Sequence, residues 1–401
     1  MQRLVEILAL QGGYNTTLVC VGAALLGAAG GICGSFALLR KRSLVSDAAS
    51  HATLPGVVLA FMAGVWLLGD GRHLSLLLLG AAASAGLGLL LVQWIRDHTR
   101  LPEDAAIATV LSVFYGLGMV LLSIAQTMRT GGQAGLEKFL LGSTAGMLIS
   151  EAQLIALGAL VVAGTALLFF KELGAICFDP DYARARGWNV AALDLLLLAL
   201  MLAVVVVGLK TVGLVLVIAV LIIPPAAARF WTERLGRMVP IAAGIGALGS
   251  YLGAALSATA PDLPTGGLIV LTLAALFVVS LLLAPARGLL AAALARLRFR
   301  LLVAERQGLL AVAVGRGPAP GLQRRVLRRR GFLDGSGTVT PAGLAAARRV
   351  ARDQRLWDRY LARRPEEATA LAAWSLAPIE TVLPRELIRE LEAGPTAEAT
   401  A

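Results

Sequence analysis

Charge is what this chain has least of: Asp, Glu, Lys and Arg make up 15% of its 401 residues, against 58% hydrophobic. Its mean hydropathy is +0.78. Soluble domains carry about a quarter charged residues, so that class is excluded. Cysteine is almost missing. Cys20, Cys33 and Cys177 have no paired or CxxC spacing, which excludes a disulfide framework and leaves them as packing residues. A Gly-x-x-x-x-Gly-Lys-Ser/Thr phosphate loop is also absent, since the glycines at Gly131-Gly132 are not followed by the Lys-Ser/Thr pair. ATP hydrolysis is therefore not expected of this chain. Met1 to Gln11, with Arg3 and Glu6, shows no basic start and no small-residue cleavage site, which argues against a removed signal peptide.

Long apolar runs take the place of charge. A helix needs about 20 residues to cross roughly 30 Å of hydrocarbon, and with no water to satisfy the backbone such runs must be helices. An all-α polytopic membrane protein is expected, with about nine spans: Thr17–Leu39, Leu54–Leu68, Leu74–Ile95, Ala105–Ile124, Leu154–Phe170, Leu193–Leu209, Val212–Ile223, Val239–Ala260 and Gly266–Ala284. The second and seventh are short and meet Pro55-Gly56 and Pro224-Pro225; such interruptions are tolerated where helices line a cavity or pack inside protein.

Nine spans place Arg40-Lys41-Arg42, Arg96 with Arg100, Lys171 with Arg184 and Arg186, and Arg229 with Arg234 and Arg237 on one side. The positive-inside rule makes that side the cytoplasm. Arg3, Arg72, Arg129, Lys138 and Lys210 fall opposite. The N-terminus is then outside and the C-terminus inside.

The net charge of +11 comes mostly from residues after Arg287. There the composition turns Arg-rich, with turns at Gly315-Arg316-Gly317-Pro318 and Asp334-Gly335-Ser336-Gly337. The expected division is a transmembrane domain over 1–286, a soluble cytoplasmic domain over 287–393 and a frayed tail over 394–401. Within the soluble part, Gly321 to Leu333 followed by Val339 to Leu344 reads as a helix and then a two-stranded wing. A second helix follows, capped by Thr340 with Pro341 at its first position, giving a small winged-helix-like α/β domain.

The most informative stretch is LRKRSLVSDAASHATLPG, from Leu39 to Gly56. Asp47 and His51 are four apart, which on a helix stacks a carboxylate and an imidazole on one face. Ser43, Ser50 and Thr53 add oxygen donors, and mixed N/O ligation suits manganese, zinc or iron more than calcium or magnesium. The spacing alone also admits Asp47 as a helix N-cap with His51 in a surface loop.

The same stretch resembles the signature of the ABC-3 family of metal permeases, LRR-x-SL-x-GDA-x-SHA-x-LPG, and departs from it chiefly in Ser46 for glycine. The likeness extends over residues 1–285 in span number and loop placement. It implies a type II ABC importer permease fold and residence in a bacterial inner membrane. Asp47 and His51, with Ser50 as a further donor, would ligate a passing manganese, zinc or ferrous ion, with no permanently bound cofactor. The implied partners are a cytoplasmic ATPase dimer, an extracytoplasmic metal-binding protein and a second permease chain, identical or paralogous.

A second element, Phe178 to Val190, has an acidic start at Asp179 and Asp181 followed by Ala183-x-x-x-Gly187. It is similar to the coupling helix of this family and of the related cobalamin and siderophore importers, where a short helix docks in a partner's groove. The loop from Pro224 to Arg237 is the runner-up. His73 and His98 read as solvated interfacial residues, Glu151 and Asp194 as capping or snorkelling residues near span ends, and Asp262 as part of a cation funnel.

In the soluble part, Arg352 to Leu361 resembles the HRLWE-x-(F/Y)L segment of manganese- and iron-dependent repressors. Gln354 stands where those have histidine, and Ala377, Ile379, Glu380 and Thr381 replace a ligand run. Metal sensing is therefore not expected, and the basic stretch Arg324–Arg330 is expected to face anionic lipid or the ATPase more than DNA. Two other functions stay open: a cobalamin or siderophore permease, which has no use for an aligned Asp–His pair, and a membrane-anchored regulator, which does not need nine spans.

Overall fold

The computed structural model describes residues 6–7, 11, 13–69, 73–128, 147–260, 263–363 and 378–393. Arg3, Arg72, Arg129, Lys138, Gly131-Gly132, Asp262, Ala377 and 394–401 lie outside them. Two compact units are present, Met1–Ala291 and Ala292–Ala401, so the division falls inside a helix and a few residues later than Arg287.

The first unit is helical among its described residues. Its helices are α1 (Tyr14–Leu39), α2 (Val45–Leu68), α3 (Leu74–His98), α4 (Glu103–Thr127), α5 (Ile149–Leu168), α6 (Phe170–Phe178), α7 (Pro180–Ala185), α8 (Val190–Val212), α9 (Leu214–Trp231), α10 (Leu235–Ser257) and α11 (Thr265–Leu283). Eight are long and apolar enough to cross a membrane. The remaining expected span, the seventh (Val212–Ile223), corresponds to α9, whose apolar part, Leu216–Trp231, is shorter. Its Pro224 and Pro225 are absorbed within the helix.

Helix α1 lies at the centre, packed on α5, α8, α9 and α10. Without a hydrophobic drive between helices in lipid, small residues that let backbones approach carry the packing. A Cβ at Gly27 would collide with the Gly246 carbonyl of α10, and one at Gly56 of α2 with the Gly80 carbonyl of α3. Helix α2 packs on α3 and α4, while α8 touches both groups. Of the apolar window of α2, 72% is buried within the chain, compared with 17% of α11. The helix that carries the signature is thus the most enclosed.

The second unit contains most of α12 (Leu289–Ala313), with α13 (Leu322–Arg329), α14 (Pro341–Arg363), a 3-10 turn at Ile379–Thr381 and α15 (Arg385–Ala393). Thr340 caps α14 by accepting the Gly343 N–H at 3.1 Å. The two-stranded wing reduces to one antiparallel bridge, Leu333 to Val339, because the turn between them closes on a side chain. Asp334 accepts from Ser336 and Thr338, and these bonds hold its carboxyl well below the usual carboxylate range. The α/β character expected here is therefore slight.

Candidate metal site

The signature lies in a helix, not a loop. After α1, Lys41 turns the chain with φ +61°, and α2 starts at Val45, nine residues before the apolar run. Hydroxyls make this early start possible. Ser46 donates to the Ser43 carbonyl at 2.6 Å, Ser50 to Ser46 at 2.8 Å and Thr53 to Ser50 at 2.6 Å. Polar side chains are thus satisfied by their own helix and can be buried. The N-cap is Leu44, so the reading of Asp47 as a cap and His51 as a loop residue is corrected. Asp47 sits in the first turn, where its charge complements the helix dipole.

Asp47 Oδ1 is 3.4 Å from His51 Nε2, and the two side chains are 35% and 26% exposed. Their neighbours Ala48, Ala49, Ser50 and Ala52 are buried. The pair is therefore the accessible edge of an otherwise enclosed helix segment. His51 packs edge-on against Tyr115 of α4, with centroids 5.3 Å apart. Its Nδ1 is buried without a hydrogen-bond partner, a state that costs free energy unless something else engages the ring. One turn on, Pro55 has no N–H for the His51 carbonyl. Ser50 is fully buried and engaged with the Ser46 carbonyl rather than with the pair. Among the described residues no three His, Cys, Asp or Glu side chains converge as a metal cage.

Just before the pair, a buried ion network fixes the junction of α1 and α2. Arg40 donates to both Asp194 oxygens, each at 3.0 Å, and to the Ile176 carbonyl at 3.0 Å. Arg42 donates to Asp194 at 3.1 Å and pairs with Glu103 at 3.2 Å. Arg96 reaches Glu103 at 3.9 Å. The bidentate hydrogen bonds that Arg40 donates to Asp194 raise its pKa above the ordinary value. Ends of α1, α3, α4, α6 and α8 are thereby gathered at one face of the bundle. Asp194 was expected to cap or snorkel; it is 4% exposed and ligates two arginines instead. Nothing in the sequence near Asp194 points to partners some 150 positions away, and Arg40 and Arg42 read only as a topology signal.

The Asp179 segment forms the short helix α7. Asp179 caps it by accepting the Asp181 and Tyr182 N–H groups, and Pro180 takes the first position. Ala183 is buried, while Tyr182 and Phe178 are 53% and 65% exposed. Gly187 ends the helix with φ +81°, its N–H bonded to Arg184 and that of Trp188 to Ala183, the paired bonds of a Schellman motif. Ala183-x-x-x-Gly187 is thus one anchoring contact plus one left-handed stop. The runner-up loop largely disappears, since Pro224 to Trp231 lies within α9 and only 232–234 connects to α10. Glu151 accepts the Leu148 N–H at 3.2 Å as a cap of α5. His98 stacks on Trp94, and His73 precedes α3.

Residues 14–284 match the ABC 3 transport family. The chain is 40% identical over 298 residues to the manganese transport system membrane protein MntC of Bacillus subtilis, covering 74% of this chain and 67% of that protein. It is 39% identical over 292 residues to the zinc transport system membrane protein TroC of Treponema pallidum, covering 73% and 96%. A solved structure, PsaBC from Streptococcus pneumoniae in complex with Fab, superposes with a TM-score of 0.60 at 28% identity, over 71% of this chain and 97% of the matched one. With most of its length matched and its helices arranged alike, this multi-pass membrane protein belongs to the ABC 3 transport family.

Proposed function

We propose that the chain is the membrane-spanning permease of an ATP-driven importer for manganese, zinc or ferrous iron, and that the ion passes over Asp47 and His51. The observation that carries this is the pair itself: a carboxylate and an imidazole 3.4 Å apart, half-exposed on the most enclosed span, with one ring nitrogen left unpartnered. Two protein ligands completed by water or by a second chain hold an ion loosely enough to release it, whereas a closed four-ligand cage would trap it. The relatives' names, manganese for one and zinc for the other, support the cargo class.

Asp47, His51, Leu59 and Ala63 of α2, set apart by multiples of four, are all at least partly accessible and share one edge of the helix. A second permease chain, identical or paralogous, would cover that edge and enclose the pathway. Helix α7, capped, stopped by Gly187 and presenting Tyr182 and Phe178, suits a groove on a separate ATPase dimer that hydrolyses ATP for the complex. An extracytoplasmic binding protein would deliver the ion to the opposite face. The arginine-rich face gathered by Asp194 and Glu103 is then cytoplasmic, with the N-terminus outside and the C-terminal unit inside.

The test is uptake of radioactive manganese and zinc by cells expressing Asp47→Asn or His51→Ala at matched membrane levels. Both variants should lose uptake by about 100-fold, in line with removal of a ligand or its immediate partner. Near-normal uptake in both would remove the pair from the pathway.

A further inference from the structure

Five residues separate the end of α11 at Leu283 from the start of α12 at Leu289. That connection spans at most about 20 Å. Leu290, Leu294 and Leu297 recur at i, i+4 and i+7 on one face and are 52%, 46% and 53% exposed, an apolar stripe open among the described residues. Arg296, Arg298 and Arg300 flank it, and no Asp or Glu occurs between Arg287 and Glu305. Further along, Leu301 and Leu302 form the apolar wall of an open groove of about 660 Å³ against α13, rimmed by Arg298, Arg325, Arg329 and Arg330. Glu305 offsets Arg330 alone, at 3.4 Å.

We infer that this stripe and groove dock onto the anionic phospholipid surface of the membrane in which the first unit resides. A leucine face within a short tether of the bilayer, bordered by guanidiniums and free of carboxylates, matches the composition of helices that lie in the headgroup layer. The arginine rim over an apolar wall suits a phosphate headgroup with its acyl chain below, because planar guanidiniums bind phosphate oxygens in pairs. A protein partner would have to supply an acidic and apolar face of its own; anionic lipid supplies both by being the neighbouring phase. The inference rests on membrane residence and not on the metal pathway.

The test uses the full-length chain carrying Cys177→Ser, with a nitroxide at Leu294→Cys; Cys20 and Cys33 are buried and stay unlabelled. The protein is placed in nanodiscs of phosphatidylcholine alone or mixed with phosphatidylglycerol, and collision of the label with a water-soluble nickel chelate is measured. Phosphatidylglycerol should cut collision by about threefold, and raised salt should restore it. The triple variant Arg298→Gln, Arg325→Gln, Arg329→Gln should lose the protection while the thermal melt stays unchanged. Equal collision in both lipids overturns the inference. So does protection in both with dipolar broadening between labels, which would mean that a second copy covers the stripe. If the triple variant fails to fold, the salt titration of the labelled chain decides alone.

Discussion

Two aspartates within the same bundle illustrate opposite uses of a carboxylate. Asp194 is buried, and both its oxygens accept from arginines at 3.0–3.1 Å. Asp47 is half-exposed, and the ionisable side chain paired with it among the described residues, His51, stands at 3.4 Å. The connection between them is short in sequence, because Arg40 and Arg42 lead directly into α2. A saturated network thus fixes the start of the helix, and a few residues later the same helix presents an unsaturated pair. The difference separates scaffold from exchangeable site: a group already satisfied by protein has no affinity left for a passing ion, while an unsatisfied group within reach of water retains it.

The largest effect should come from Asp194→Ala. Removing one partner of a buried pair leaves its charges uncompensated, at a cost of about 3–5 kcal/mol. Among the described residues, Arg42 would lose one of its two paired carboxylates and Arg40 the carboxylate it binds. Purified protein in detergent should melt several degrees lower, and membrane levels should fall. The double variant Arg40→Met, Asp194→Leu should recover much of the loss, since apolar groups of similar volume replace the pair. An Asp194→Ala melt equal to that of the parent chain would show that the network is ornamental and would dissolve the contrast with Asp47.

That network also marks the limit of what the sequence reveals. Spans, the Asp–His spacing and the cap at Thr340 are local patterns, legible because helical periodicity and capping act within a few residues. Asp194 was misread because a lone acid near a span end looks the same whether it faces lipid headgroups or two arginines far away in the chain. Pro55 was misread differently. It resembles an interruption, so the second span seemed to begin at Leu54. Ser46, Ser50 and Thr53 bond back to the backbone and extend the helix to Val45, so that Asp47 and His51 share the helix face that their spacing allows. The α/β wing was overread because Gly and Asp signal a turn but say nothing of how many ladder bonds its arms form.

A smaller effect is expected at Gly187, which ends α7 as the network ends α1. Its φ of +81° is strained for any residue with a Cβ, and Gly187→Ala should cost about 1 kcal/mol, localised to α7. If α7 couples to an ATPase, metal-stimulated ATP hydrolysis in the assembled complex should weaken while the melt of the permease barely moves. A shift of the melt as large as that of Asp194→Ala would place Gly187 in the scaffold class instead.

The smallest effect on stability belongs to the residue with the largest expected effect on uptake. Asp47→Asn keeps shape and removes charge; the side chain is 35% exposed and the contact it loses is a long one to a half-exposed ring. Exposed pairs at i,i+4 are worth about 0.3–0.5 kcal/mol, and surface changes usually stay within about 0.5 kcal/mol. His51→Ala loses more packing, through Tyr115, but also removes a buried nitrogen that has no partner, and the two changes oppose each other. Melting curves of both variants in metal-free buffer should therefore overlay that of the parent within about 1 kcal/mol. The separation sharpens when metal is added: manganese or zinc should raise the melting temperature of the parent and leave both variants unmoved, since a ligand stabilises only the state that binds it. Equal stabilisation of parent and variants would place the ion elsewhere, and a large metal-free loss in Asp47→Asn would make Asp47 a scaffold residue like Asp194.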